Sequence, residues 1–104
     1  MKTPEPEITI RQIEPTNKVL AVLREPRILI GKRPECHVQF QGVTGISGIH
    51  AVLTLDQGRW HVTDPGAARG VKVGEQQIGY NVPVPIHSGA RLRLGRVLLE
   101  VTYT

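Results

Sequence analysis

Apolar side chains come in short bursts along this chain, each interrupted by proline, glycine or polar residues. Ile8-Thr9-Ile10 alternates apolar and polar positions, as a strand with one covered face does. Val19 to Leu23 and Ile28 to Ile30 are unbroken apolar runs bounded by Pro15, Asn17, Pro26 and Gly31. They predict two well-covered strands with a turn at Pro26. His37 to Phe40 alternates again, and the stretch from Gln41 to Gly48, with glycines at 42, 45 and 48, predicts the longest loop. Ala51 to Leu55 and Trp60 to Val62 flank Asp56-Gln57-Gly58, a hairpin signal, and the alternation beside Val62 sends Trp60 into the core. Val71 to Val73 and Gln77-Ile78 continue the strand pattern on either side of a turn at Gly74. Val82 to Ile86 has prolines at 83 and 85, which supply no N–H to a ladder, so it predicts an edge strand or an extended covering segment. Leu92 to Leu94 and Val97 to Val101 close the chain around a tight turn at Gly95-Arg96.

These segments sum to about eleven short strands, the pattern of an all-β sandwich or barrel. The 8 prolines and 11 glycines leave few windows long enough for a helix. A chain of 104 residues suits one domain with one core, and 39% hydrophobic residues is the share of a globular protein. Pro4 and Pro6 mark residues 1–7 as a flexible leader, and residues 8–104 are expected to form the single domain.

Charge and cysteine usage narrow the setting. A net charge of +4, with 13 Lys and Arg, favours an anionic partner, but the basic residues are scattered rather than run together. The N-terminus carries no apolar run that could serve as a signal or membrane segment, and the single Cys36 cannot form an internal disulfide. A cytoplasmic protein with no membrane association is expected.

Catalytic chemistry finds little support. Ser47, His50 and Asp64 supply the residue types of a nucleophile, base and orienting acid, but Ile49 stands where a nucleophile elbow needs its second glycine. Cys36, His37, His50, His61 and His87 show neither the paired cysteines nor the close histidine pairs of usual zinc sites. Gly31-Lys32 lacks the rest of a phosphate loop, since Pro26 takes the place of its first glycine and Arg33 that of its Ser/Thr. The expectation is no enzyme, no metal and no cofactor.

Three polar loops remain, each at the end of an apolar strand: Gly31-Lys32-Arg33, Ile46-Ser47-Gly48-Ile49-His50, and Asp64 to Gly70. With Ser88-Gly89-Ala90 to Gly95 they resemble the forkhead-associated (FHA) domain over residues 19 to 103, nearly the whole chain. That family's pattern runs Gly-Arg, Ser-Arg-x-His, Asp-x-x-Ser-x-Asn-Gly and Gly-Asp-x-x-x-x-Gly. The resemblance implies an FHA-like β-sandwich of about eleven, mostly antiparallel strands. It also implies a non-catalytic protein interaction module whose loops at one end bind a phosphothreonine peptide of a protein partner.

Carried over position by position, the resemblance gives Lys32, Arg33, Ser47, Gly48 and Arg69 as candidate peptide and phosphate contacts, with Gly31, His50, Asp64 and Gly70 shaping the loops. Ser47 matches the phosphate-binding serine, and His50 a histidine that braces the loop. Lys32 replaces the peptide-contacting arginine, keeping the charge but losing the two-pronged guanidinium. Gly48 replaces a polar or basic residue, Ala67 and Ala68 lack hydroxyls the family supplies, and Arg69 stands where an asparagine holds the peptide backbone. Ala90 replaces an aspartate in a turn. Dependence on phosphothreonine is therefore expected to be weakened or lost, with Arg33 and Arg69 as replacement partners for an anion. The alternative is an OB-like barrel binding single-stranded nucleic acid, whose stacking residues would have to come from Phe40, Trp60, Tyr80 and Tyr103.

Overall fold

Alternation along the chain becomes two facing sheets. The computed structural model describes residues 6–104, and in it eleven strands form: β1 (Ile8–Glu14), β2 (Lys18–Leu23), β3 (Arg27–Gly31), β4 (Val38–Gln39), β5 (Ala51–Asp56), β6 (Arg59–Thr63), β7 (Lys72–Val73), β8 (Gln76–Gln77), β9 (Val84–Pro85), β10 (Ala90–Leu94) and β11 (Val97–Tyr103). One sheet has the order β2-β1-β11-β10-β7-β8 and the other β4-β3-β5-β6-β9. All strand pairs are antiparallel except β3 with β4, where Ile30 pairs with Val38 and Gly31 with Gln39. This two-sheet sandwich replaces the OB-like barrel considered as an alternative.

The inward residues of each strand fill the space between the sheets. Ile8, Ile10, Leu92, Leu94, Leu99 and Val101 from the first sheet meet Ile28, Ile30, Leu53, Trp60 and Val62 from the second in one buried cluster. Burying such side chains stabilises the fold by about 1.5–3 kcal/mol each. Trp60 is 1% exposed, as its alternation predicts. Phe40 is buried too, and the Tyr103 hydroxyl donates to the Ile86 carbonyl at 2.6 Å, so Tyr80 is the one aromatic side chain among the described residues that stands well exposed.

Turn chemistry sets the hairpins. Asp56 pairs with Arg59 across a two-residue loop in which Gln57 (φ 51°) and Gly58 (φ 77°) are both left-handed, the form that matches strand twist. The β10–β11 turn is likewise two residues long, Leu94 pairing with Val97 around Gly95. Val84–Pro85 is an edge strand beside β6, so the prolines face no further partner strand.

Two expectations need correction. β1 runs on to Glu14, beyond the Ile8-Thr9-Ile10 segment, because Gln12 holds an inward position that alternation reserves for an apolar residue. Its amide Nε2 donates to the Thr16 carbonyl at 2.9 Å and lies 3.1 Å from the Thr16 hydroxyl, so the buried polar group is satisfied at the β1–β2 connection. The run Val19 to Leu23 is not well covered: β2 is an edge strand, with Val19 47% and Val22 54% exposed. A register shift where it pairs with β1 lets neighbouring Leu20 and Ala21 both reach the core, and Val19 and Val22 are left outward.

Of the leader expected over residues 1–7, residues 1–5 lie outside the described residues. Glu7 is tied to the domain, pairing with Arg24 at 3.1 Å and accepting the Thr104 N–H at 3.4 Å. Among the described residues, no helix is long and apolar enough to cross a membrane.

Candidate functional site

The connections β3–β4, β4–β5 and β6–β7 meet at one end of the sandwich, and backbone hydrogen bonds set their spacing. Lys32 N–H donates to the Ser47 carbonyl at 3.1 Å and Arg33 N–H to the Gly48 carbonyl at 3.0 Å. His50 N–H donates to the Ile30 carbonyl at 2.7 Å, and Phe40 N–H to the Gly31 carbonyl at 2.8 Å. The two loops lie so close at Gly31 that a methyl there would overlap the Gly48 carbonyl oxygen and reach 2.9 Å from the Ile49 Cα. Beneath them Cys36 is buried, its thiol 3.5 Å from the same Gly48 oxygen. Burial pushes that thiol up from its ordinary value, so it stays protonated and donates.

His50 joins the loops from below and is fully buried. Its Nδ1 accepts the Ser47 N–H at 3.1 Å, which places the ring proton on Nε2, and that N–H donates to the Gly70 carbonyl at 2.7 Å. One neutral imidazole thus couples the β4–β5 loop to the β6–β7 loop. Ser47 makes the second link: its Oγ accepts the Ala68 N–H at 3.1 Å. The hydroxyl proton is left to donate elsewhere.

Asp64 shapes the third loop. It is buried, and its Oδ1 accepts the N–H groups of Gly66 at 2.9 Å and Ala67 at 2.8 Å, a carboxylate version of an Asx turn. Gly70 follows with φ 69° and donates its N–H to the Ala67 carbonyl at 3.1 Å. Asp64→Ala is expected to lower stability by about 2–4 kcal/mol, because two charge-assisted bonds are lost, and Asp64→Asn by clearly less, because its oxygen can still accept. Urea denaturation of the two variants checks this; equal midpoints would contradict it.

The candidate cations divide between two places. Arg33 lies across Gly48, where a methyl would come within 2.9 Å of its Nε. With Ser47, Gly48 and Gly66 it lines a cavity of about 410 Å³ that also includes Arg27 and Leu29. Lys32 is exposed beside it, its backbone bonded to Ser47. Arg69 turns elsewhere: its Nε lies 3.0 Å from where a methyl on Gly45 would sit, and its Cδ 3.5 Å from one on Gly95. It lines a different cavity, with Lys72, Arg93 and Arg96. Arg27 was missed in the sequence, although it sits two positions before Leu29 on the outward face of β3, where alternation could have found it. The fourth motif splits along β10, with Gly95 beside Gly45 and Arg69 in the second cavity and Ser88-Gly89 forming a turn at the other end, where Ser88 Oγ accepts the Tyr103 N–H at 2.8 Å.

Among the described residues, no group of three or more His, Cys, Asp or Glu residues is placed to hold a metal ion. What the fold does present is a β-sandwich scaffold carrying a glycine-floored, cation-edged cradle on three braced loops. That defines the class as a loop-borne binding module. The family model for the FHA domain matches residues 28–95, and the chain belongs to the FHA domain family.

Solved structures share the fold. One, from a structural and functional study of phosphothreonine-dependent FHA domain interactions, is 20% identical with a TM-score of 0.78, covering 92% of this chain and 95% of that one. The FHA domain of the CT664 protein from Chlamydia trachomatis is 16% identical with a TM-score of 0.79, covering 92% of this chain and 96% of that one. Mycobacterium tuberculosis EmbR, in complex with a low-affinity phosphopeptide, is 17% identical with a TM-score of 0.80, covering 92% of this chain and 24% of that one. No match is found among curated protein sequences.

Proposed function

We propose that this chain binds a phosphothreonine-containing segment of a protein partner through Lys32, Arg33, Ser47 and Gly48, making and breaking no covalent bond. The observation that carries this is the state of Ser47. Its oxygen is engaged by the Ala68 N–H, so its own O–H is free to donate to a phosphate oxygen, and Arg33 lies over the adjacent Gly48. A dianionic phosphate needs such convergence of hydroxyl, cation and backbone from separate rigid loops. The FHA family and a related structure studied for phosphothreonine-dependent interactions support the same reading.

The departures from the family pattern modify the site without removing its charge. A basic residue is absent at Gly48, and Arg33 from the neighbouring loop supplies a guanidinium over that position. Lys32 contributes a point charge rather than a fork. Missing contacts at Ala67 and Arg69, if charge-assisted at about 1.5–3 kcal/mol each, weaken binding by roughly a hundredfold to ten-thousandfold relative to a complete set. Binding is therefore weak, and depends on the cations more than in a member with the full motif.

Titration with a phosphothreonine peptide library tests this. Ser47→Ala is expected to weaken the best peptide by about tenfold to a hundredfold, and Arg33→Ala by a similar factor, since each removes a hydrogen bond to a charged group. The reading fails if no phosphothreonine peptide binds, or if Ser47→Ala binds the best one as tightly as the unaltered chain.

A further inference from the structure

The two sheets leave one side of the sandwich open, where β2 ends the first sheet and β4 ends the second. A cavity of about 320 Å³ lies between these edges, lined by Leu20 of β2, Val38 of β4 and, from neighbouring segments, Phe40, Val43 and Val97. Val38, Phe40 and Val97 are buried and form an apolar floor, and Leu20 and Val43 stand half-buried beside it. Neither Ser47 nor Arg33 lines it, so it is separate from the phosphate cradle.

One polar group at this cavity lacks a partner. Gln12 is 5% exposed, and its Nε2 donates to the Thr16 carbonyl at 2.9 Å and to the Thr16 hydroxyl at 3.1 Å. A carbonyl only accepts, so the amide nitrogen must lie on that side and Oε1 on the other. Among the described residues Oε1 accepts no hydrogen bond. It is not sealed off either: the one buried side-chain polar atom closed to solvent without a partner is Trp60 Nε1, so Gln12 Oε1 is reached from the cavity that Gln12 lines. An acceptor so nearly buried calls for a donor. Water would satisfy the oxygen and leave the apolar floor wet, whereas a ring bearing an N–H covers both.

The rim carries the opposite chemistry. Lys18 stands opposite Gln12 in the β1–β2 register, so the two side chains leave the sheet on the same face. It is exposed, lines the cavity and forms no ion pair among the described residues. His37, also exposed at the cavity, accepts the Leu29 N–H at 3.1 Å through Nδ1, which places its ring proton on Nε2. No Asp or Glu lines the cavity, so a cationic ligand would meet Lys18 with nothing to offset it. We infer that this cavity binds a small aromatic acid, a flat apolar ring whose N–H donates to Gln12 Oε1 and whose carboxylate faces Lys18 and His37. An apolar cavity of about 150 Å³ already takes a benzene, so this one has room for a bicyclic ring with a short acid arm.

The experiment titrates the unaltered chain with indole-3-acetate and follows the Gln12 side-chain amide resonances and the backbone amides of Leu20, Val38 and Val43. All should shift together, with a Kd of about 1 mM or tighter for a ligand of this size. Benzofuran-3-acetate has the same shape with a ring oxygen in place of the N–H, and should bind about tenfold more weakly. 3-Methylindole keeps the N–H but lacks the carboxylate, and should bind about two- to fivefold more weakly than indole-3-acetate, as an exposed ion pair allows. In Lys18→Met those two should bind alike. The substitution is at an exposed position, and thermal melting confirms that the variant is folded.

Binding here does not depend on the cradle, so these shifts uphold the site even if every phosphothreonine peptide fails. The proposal is overturned if indole-3-acetate moves none of these resonances, if the benzofuran acid binds as tightly, or if Lys18→Met keeps the advantage of the carboxylate. It is overturned too if the shifts centre on Arg33, Ser47 and Gly48, because the acid would then occupy the phosphate cradle as a simple anion.

Discussion

Replacing Gly31 by alanine is expected to cost about 3–5 kcal/mol of stability and to abolish the candidate site with it. The added methyl would overlap the Gly48 carbonyl oxygen and lie 2.8 Å from the Gly48 carbonyl carbon and 2.9 Å from the Ile49 Cα. All three are backbone atoms, so no rotation of a side chain relieves the clash. The β4–β5 loop must retreat instead, which opens the Lys32–Ser47 and Arg33–Gly48 hydrogen bonds that hold the two loops together. Thermal melting checks this, with a fall of about 10–20 °C expected for a domain of this size. Gly58→Ala is the control. It meets no atom within 4 Å and carries only the strain of φ 77°, so it should lose about 1 kcal/mol. Equal melting temperatures for the two variants would show that the loops are not packed as described.

His50→Ala is expected to lower stability by about 3 kcal/mol and to weaken whatever the Ser47 loop binds. The imidazole occupies a fully buried position and satisfies two backbone groups from different loops. Without it the Gly70 carbonyl and the Ser47 N–H lose their partner, and the loop bearing Ser47 keeps only the Ser47–Ala68 hydrogen bond to the loop bearing Arg69. His50→Gln, which keeps a donor and an acceptor, should recover part of the loss. Denaturant midpoints give the stability difference, and amide exchange at Ser47, whose N–H loses its acceptor, locates it. An alanine variant as stable as the parent, with the Ser47 amide still protected, would mean that His50 is not the brace.

Much of the fold is legible because each strand records its own covered face. Leu92 and Leu94 point in while Arg91 and Arg93 point out, and Val97, Leu99 and Val101 repeat the pattern. Gln57-Gly58 announces a hairpin because the backbone there must be left-handed, and Pro83 and Pro85 announce an edge because they lack the N–H. What misleads is anything settled by a distant partner. Ile8-Thr9-Ile10 records only the start of β1, because polar Gln12 breaks the apolar alternation and is satisfied in the fold by Thr16. Val19 to Leu23 looks covered until its edge position and register shift leave Val19 and Val22 outside.

The site follows the same division. Ser47, His50, Asp64 and the glycines are legible because their spacing within each loop is local. Arg33 and Arg69 could be named as cations but not aimed, since their paths are decided by glycines elsewhere in the chain. Gly48 gives Arg33 its course, and Gly45 with Gly95 draws Arg69 away to the second cavity. Lys72 and Arg93 looked like scattered charge until the β7–β10 register set them opposite one another.

The central claim is that the Ser47 cradle reads a phosphate on threonine. Calorimetric titration of the unaltered chain with the best library peptide, in phosphorylated and unphosphorylated forms, tests it most directly. Removing the phosphate should weaken binding by at least about a hundredfold, as expected when several hydrogen bonds to a charged group are lost together. Equal affinity for the two forms would contradict the claim.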